Sequence, residues 1–120
     1  MSPKKKILVC DDEEGVRESL NLILKDHHDV SFVKNGPECL EALQKDPSFD
    51  VVFMDIKMPK RNGIDVTRDI KSRHPNIKVI IVTGYASSEI AQEAFAAGAD
   101  DYIAKPFGSK EILKKVGDNS

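Results

Sequence analysis

The sequence is poor in cysteine, has no long hydrophobic run and carries no large excess of one charge, and each shortage narrows what the chain can be. Its two cysteines, Cys10 and Cys39, form neither a close pair nor a Cys/His cluster. Nothing in their spacing offers a metal site, and they read as free thiols in a reducing compartment. The apolar run Ile7–Cys10 follows a basic amino end, Met1–Lys6, but stops at Asp11-Asp12-Glu13-Glu14. A secretory signal needs an apolar core of roughly 7–15 residues, and a membrane span needs roughly 20, so neither is expected and the chain reads as cytoplasmic. Lys and Arg number 18 against 20 Asp and Glu, a net charge of -2. That balance gives no electrostatic reason to expect nucleic acid or a membrane as a direct ligand. Internal repeats, low-complexity stretches and internal linkers are also missing. Only Gly117-Asp118-Asn119-Ser120 reads as a frayed end or the start of a linker.

What is present is a regular alternation. The 120 residues are 40% hydrophobic and 32% charged, enough for one soluble domain with its own core. Ile7-Leu8-Val9-Cys10 is a short strand-like run; Val16, Leu20, Ile23 and Leu24 then recur at helical spacing. Val30, Phe32 and Val33 mark a second strand, and Asn35-Gly36-Pro37 a turn whose proline opens a helix carrying Cys39, Leu40 and Leu43. Val51-Val52-Phe53-Met54 is the third strand. After the loop of Met58-Pro59 and Asn62-Gly63, a helix bearing Ile64, Thr67 and Ile70 should end before Pro75. Val79-Ile80-Ile81-Val82 is the most apolar strand; the helix after it carries Ile90, Ala91, Ala94 and Phe95 and is closed by Gly98. Tyr102-Ile103-Ala104 is the last strand, and Ile112, Leu113 and Val116 belong to a short final helix. Strand and helix alternating throughout predict an α/β domain with a parallel sheet, and runs apolar on both faces predict strands covered by helices on both sides.

In an open parallel sheet, ligands bind outside the carboxyl ends of the strands. Those ends carry Asp11 and Asp12 after the first strand, Asp55 after the third, Thr83 at the fourth and Lys105 after the fifth. Three carboxylates brought together repel unless neutralised, and one ammonium cannot balance them. A hard divalent cation such as Mg²⁺, taking oxygen ligands from one or two carboxylates and keeping several waters, fits the set. Lys105 suits another task, the holding of an incoming anion. Acids at strand ends also serve as helix caps or favour the helix dipole. That ordinary role is assigned to Glu13 and Glu14. It does not account for Asp12, Asp55 and Lys105 jointly.

With these residues in view, the chain resembles the receiver domains of bacterial two-component response regulators, over essentially its whole length, 1–120. The resemblance is carried by Ile7-Leu8-Val9-Cys10-Asp11-Asp12-Glu13, Val52-Phe53-Met54-Asp55-Ile56-Lys57-Met58-Pro59, Asn62-Gly63, Ile81-Val82-Thr83-Gly84 and Gly98-Ala99-Asp100-Asp101-Tyr102-Ile103-Ala104-Lys105-Pro106-Phe107. It implies a flavodoxin-like doubly wound sheet of five parallel strands. The order 2-1-3-4-5 is borrowed from the chemotaxis receivers rather than read from this chain. It implies that Asp55 is the phosphoacceptor. Asp12, Asp55 and the backbone carbonyl of Lys57 would hold Mg²⁺, with Asp11 acting through water or by orienting the metal. Lys105 and Thr83 would contact the phosphoryl oxygens, Tyr102 would be the aromatic switch that follows Thr83, and the Lys105–Pro106 bond would be cis. The protein would then be a phosphoacceptor switch that assists its own phosphorylation and dephosphorylation, not an enzyme with turnover.

The implied donor is a phosphohistidine on a histidine kinase or phosphotransfer protein. The implied readers are a phosphorylation-dependent homodimer or an output domain of a longer regulator. Lys57 and Tyr85 flank the site and should influence how fast water removes the phosphoryl group. The helix before Gly98 bears Glu89 and Glu93 and no Lys or Arg, where winged-helix members that dimerise through this face carry basic residues; this argues against that dimer mode. Two other classes share features of the pattern. A flavodoxin-type flavin module needs a hydroxyl- and glycine-rich phosphate loop after the first strand, where Asp11-Asp12-Glu13-Glu14 would repel phosphate. A phosphohydrolase of the haloacid dehalogenase type needs a second Asp two residues after the nucleophile, where this chain has Lys57.

Overall fold

The computed structural model describes residues 4–117. Residues 1–3 of the amino end and residues 118–120 of the expected frayed end lie outside them. Five strands and five helices alternate: β1 (Lys6–Cys10), α1 (Glu14–Leu24), β2 (Asp29–Val33), α2 (Gly36–Lys45), β3 (Val51–Met54), α3 (Gly63–Arg73), β4 (Lys78–Thr83), α4 (Ser88–Ala96), β5 (Asp101–Ala104) and α5 (Ser109–Val116). All strand pairings are parallel, in the order β2-β1-β3-β4-β5.

The strand residues sort by parity, as a pleated sheet requires. Leu8, Cys10, Val52, Met54, Val79 and Ile81 face Cys39, Leu43, Val66, Ile70 and Ala94 from α2, α3 and α4. Ile7, Val9, Val51, Phe53, Ile80, Val82 and Ile103 face Leu20, Leu24, Ile112 and Val116 from α1 and α5. Strands β1, β3 and β4 are thus covered on both sides. The edge strand β2 departs from the expectation of two buried faces. Its residues are exposed or half-buried, and Phe32 lies 39% exposed, because no further strand covers its outer edge.

Local chemistry fixes the helix ends nearest the site. Asn35 caps α2 by accepting from Glu38 N–H at 2.9 Å, Asn62 caps α3 by accepting from Ile64 N–H at 2.7 Å, and Ser87 caps α4 by accepting from Ile90 N–H at 3.1 Å. Gly98 closes α4 at φ +105°, and α3 ends at Arg73, two residues before Pro75. Gly63 is required by close approach: a Cβ built on it would lie 1.9 Å from the Asp55 carbonyl oxygen. Its N–H donates to Ile56 O at 2.8 Å, so the start of α3 is fastened directly to the end of β3.

The topology has one switch point. The chain moves from β1 outward to β2, then returns to place β3 on the other side of β1. The crevice opens at the carboxyl ends of β1 and β3, where Asp11, Asp12 and Asp55 stand.

Candidate functional site

Because β1 and β3 pair in register, Cys10 against Met54, the next residue of each strand, Asp11 and Asp55, comes to the same height on the rim. Asp11, Asp12, Glu13 and Asp55 each offer a carboxylate oxygen, all within 4.8 Å of one another. Asp11 and Asp55 are buried, whereas Asp12 and Glu13 are exposed. Lys105 reaches in from the end of β5. Its Nζ lies 3.2 Å from Asp11 Oδ2, 3.2 Å from Glu13 Oε1 and 3.7 Å from Asp55 Oδ1. The first two are hydrogen bonds; the third is an ion pair beyond hydrogen-bond reach. The Lys105–Pro106 bond is cis.

Each buried acid is held by main-chain donors. Asp11 Oδ1 accepts from Glu13 N–H at 2.9 Å, and Asp55 Oδ1 from Ile56 N–H at 2.9 Å. These bonds favour the charged form, but burial outweighs them. Asp55 is pushed up to about 6, by burial first and then by the Asp11 carboxylate, against the opposing pull of Lys105 and Ile56 N–H. Asp11 is also raised, chiefly by burial. For Lys105, burial lowers the pKa while Asp11 and Asp55 raise it, and the carboxylates prevail. Three of the four carboxylates share the Lys105 ammonium. A set of hard oxygen donors with uncompensated negative charge fits a divalent cation that takes oxygen ligands.

The remaining predicted residues line the rim. Thr83 ends β4, fully buried, and its hydroxyl accepts from Tyr85 N–H at 3.1 Å. Its carbonyl accepts from Lys105 N–H at 2.9 Å, which ties the β4 and β5 ends together. Lys57 shares with Asp12 the wall of an open cleft on the α3 side. Its ammonium stands 4.0 Å over the ring centroid of Tyr85. Tyr102 packs inward with Ile90 against the α2–α3–α4 core. Its hydroxyl is buried and, among the described residues, has no hydrogen-bond partner. A hydroxyl standing in water, the ordinary alternative for this residue, is not what the structure has.

A family profile described as the response regulator receiver domain matches residues 7–117. The chain belongs to that family. It is 36% identical to the chemotaxis protein CheY of Halobacterium salinarum, over 95% of both chains. It is also 36% identical to the transcriptional regulatory protein LnrK of Bacillus subtilis, over 92% of this chain and 51% of that protein. The crystal structure of a CheY-like receiver domain protein from Methanospirillum hungatei superposes with a TM-score of 0.87 at 33% identity, over 94% of this chain and 90% of that one. The fluoroberyllate-activated DrrB receiver domain does so with a TM-score of 0.86 at 31% identity, over 94% of each. Apart from the CheY relative, the chain spans about half the length of the curated relatives it matches. This is the receiver domain of a response regulator, in a family that works as phosphorylation-based signalling switches.

Glu13 needs a correction. Of the two ordinary roles expected for it, helix cap or partner of the helix dipole, the first fails: at the N-cap of α1 its side chain makes no capping hydrogen bond. Its carboxylate turns to Lys105 instead. The one signal in the sequence was an acid two residues beyond Asp11.

Proposed function

We propose that Asp55 is the phosphoacceptor of this receiver and that a phosphohistidine protein is the donor. The observation that carries this is the environment of Asp55. It is a buried carboxylate with a pKa of about 6, ionised at neutral pH, 3.7 Å from the Lys105 ammonium. An Asp55 carboxylate oxygen attacks the phosphorus, the phosphorus–nitrogen bond to the donor imidazole breaks, and the imidazole leaves with the electron pair. A carboxylate nucleophile forms an aspartyl phosphate in this way. The transfer asks for positioning and charge neutralisation more than for further covalent chemistry.

Asp12, Asp55 and the Lys57 carbonyl are the proposed ligands of Mg²⁺, with Asp11 orienting it or acting through water. The ion, when bound, would supply positive charge that offsets the carboxylates of the rim and the incoming phosphoryl group. Lys105 holds the phosphoryl group through its ammonium, and the Thr83 hydroxyl donates to one of its oxygens. Tyr102 reads the change. An unpartnered buried hydroxyl costs about 1–3 kcal/mol, so the inward state of Tyr102 is not deeply favoured, and a small rearrangement at Thr83 is enough to redistribute it. The half-length match to regulators such as LnrK supports an output domain as reader; a second copy is the other proposed reader, and the cytoplasm the proposed location. Among the described residues, no helix is long and apolar enough to cross a membrane.

Incubation with an acyl phosphate and Mg²⁺ tests the reading. Intact-mass spectrometry should find one added phosphoryl group on the parent and none on Asp55→Asn. A phosphorylated variant would move the acceptor elsewhere.

A further inference from the structure

A lysine ammonium has three protons to donate. In this molecule two of them go to carboxylates other than the acceptor: Asp11 Oδ2 and Glu13 Oε1, each at 3.2 Å, with Asp55 left at 3.7 Å. The two partners differ in freedom. The Asp11 side chain is 3% exposed and anchored by Glu13 N–H; the Glu13 side chain is 63% exposed. A phosphoryl group on Asp55 adds negative charge and strong acceptor oxygens next to this ammonium. For Lys105 to reach those oxygens, one of its present partners has to give way, and only Glu13 is free to swing into solvent.

We infer that Glu13 is a positioning residue that parks Lys105 while Asp55 is bare, and that it competes with the phosphoryl group for the ammonium. The inference rests on Asp55 being the acceptor. Glu13 thus weakens the phosphorylated state relative to a receiver without this carboxylate. Exposed ion pairs are modest, so the expected effect is about two- to fivefold in affinity. Two other roles for Glu13 lead elsewhere. A helix-dipole role would change stability but leave phosphoryl affinity alone. A metal-ligand role would make Glu13→Gln bind Mg²⁺ more weakly and would give no gain once Mg²⁺ is saturating.

The test titrates fluoroberyllate, a phosphoryl mimic, into the full chain with Mg²⁺ saturating for each variant. In parallel, the side-chain NMR signal of Lys105 is followed in the metal-free protein. Glu13→Gln should bind fluoroberyllate about two- to fivefold more tightly than the parent. Its metal-free Lys105 signal should already have moved part of the way toward the fluoroberyllate-bound position. Equal or weaker binding by Glu13→Gln, or a Lys105 signal unmoved by the substitution, overturns the inference while leaving Asp55 in its role. A parent that binds no fluoroberyllate at all removes the Asp55 reading, and this one with it.

Discussion

Burial of Asp55 beside Asp11 lifts its carboxyl to about 6 from an ordinary 3.8, so the folded chain holds a proton there more tightly than the unfolded chain does. For an acid raised in this way, the sign of the linkage is fixed. The stabilisation is fully present below about 3.8 and is lost as the pH rises through about 6. At neutral pH the ionised side chain therefore destabilises the metal-free fold, by up to about 3 kcal/mol. Asp55→Asn keeps an oxygen for Ile56 N–H and removes the charge. It should raise the denaturant midpoint of the metal-free protein at pH 7.5, with the gain over the parent shrinking through pH 6 and gone near pH 4. A gain of the same size at every pH would mean that the charge is not its source. Asp11, Asp12, Asp55 and Lys105 were legible as a set because a parallel sheet gathers its strand ends. Glu13 was not, because its partner lies 92 residues away. Nothing local separates an acid in a first helical turn from one that reaches across to β5.

Backbone contacts join elements around the site, and the clearest case is the seam between β3 and α3. Gly63→Ala would drive a Cβ into the Asp55 carbonyl, at 1.9 Å, where no flexible side chain can yield. Denaturant unfolding should register a loss of at least about 2 kcal/mol, with slower phosphorylation as Asp55 is displaced. Gly15→Ala, in α1 with open space around it, should instead be neutral or gain about 0.5–1 kcal/mol. Equal effects at the two glycines would contradict the role given to Gly63.

The other seam is between β4 and β5. Thr83→Ala should still accept the phosphoryl group, since Asp55 and its neighbours remain, but should uncouple Tyr102. The chain has two tyrosines and no tryptophan, so fluorescence in a Tyr85→Phe background reports on Tyr102 alone. Phosphorylation should change that signal in the Thr83 protein and leave it flat in Thr83→Ala; a response in both would break the proposed link. Helix and strand identities were readable from periodicity, the start of α2 to within a residue from Pro37, and the ends of α3 and α4 from Pro75 and Gly98; Asn62-Gly63, read as loop, instead caps and opens α3. The exposure of β2 was not. Its one signal is the polar Asp29 and Ser31 among its five residues, and the strand order makes it an edge.

Across the whole molecule, parity within the strands divides the apolar residues into two cores, and the switch point between β1 and β3 leaves the acidic rim where the two halves of the sheet diverge. Alternation alone predicted the class of fold. The strand order was not in the alternation, because a parallel crossover can pass to either side of β1, and it came from likeness to known receivers. What the molecule adds to that likeness is convergence: residues at the ends of β1, β3 and β5 meet around Asp55, which with Asp11 is one of two buried carboxylates on the rim. The central claim is that this carboxylate, and no other on the rim, takes the phosphoryl group. Borohydride reduces an aspartyl phosphate to homoserine, so reduction after phosphorylation, followed by peptide sequencing in a mass spectrometer, locates the acceptor directly. The account predicts homoserine at position 55 alone; homoserine at position 11 or 12, or none anywhere in a protein that has gained the phosphoryl mass, would contradict it.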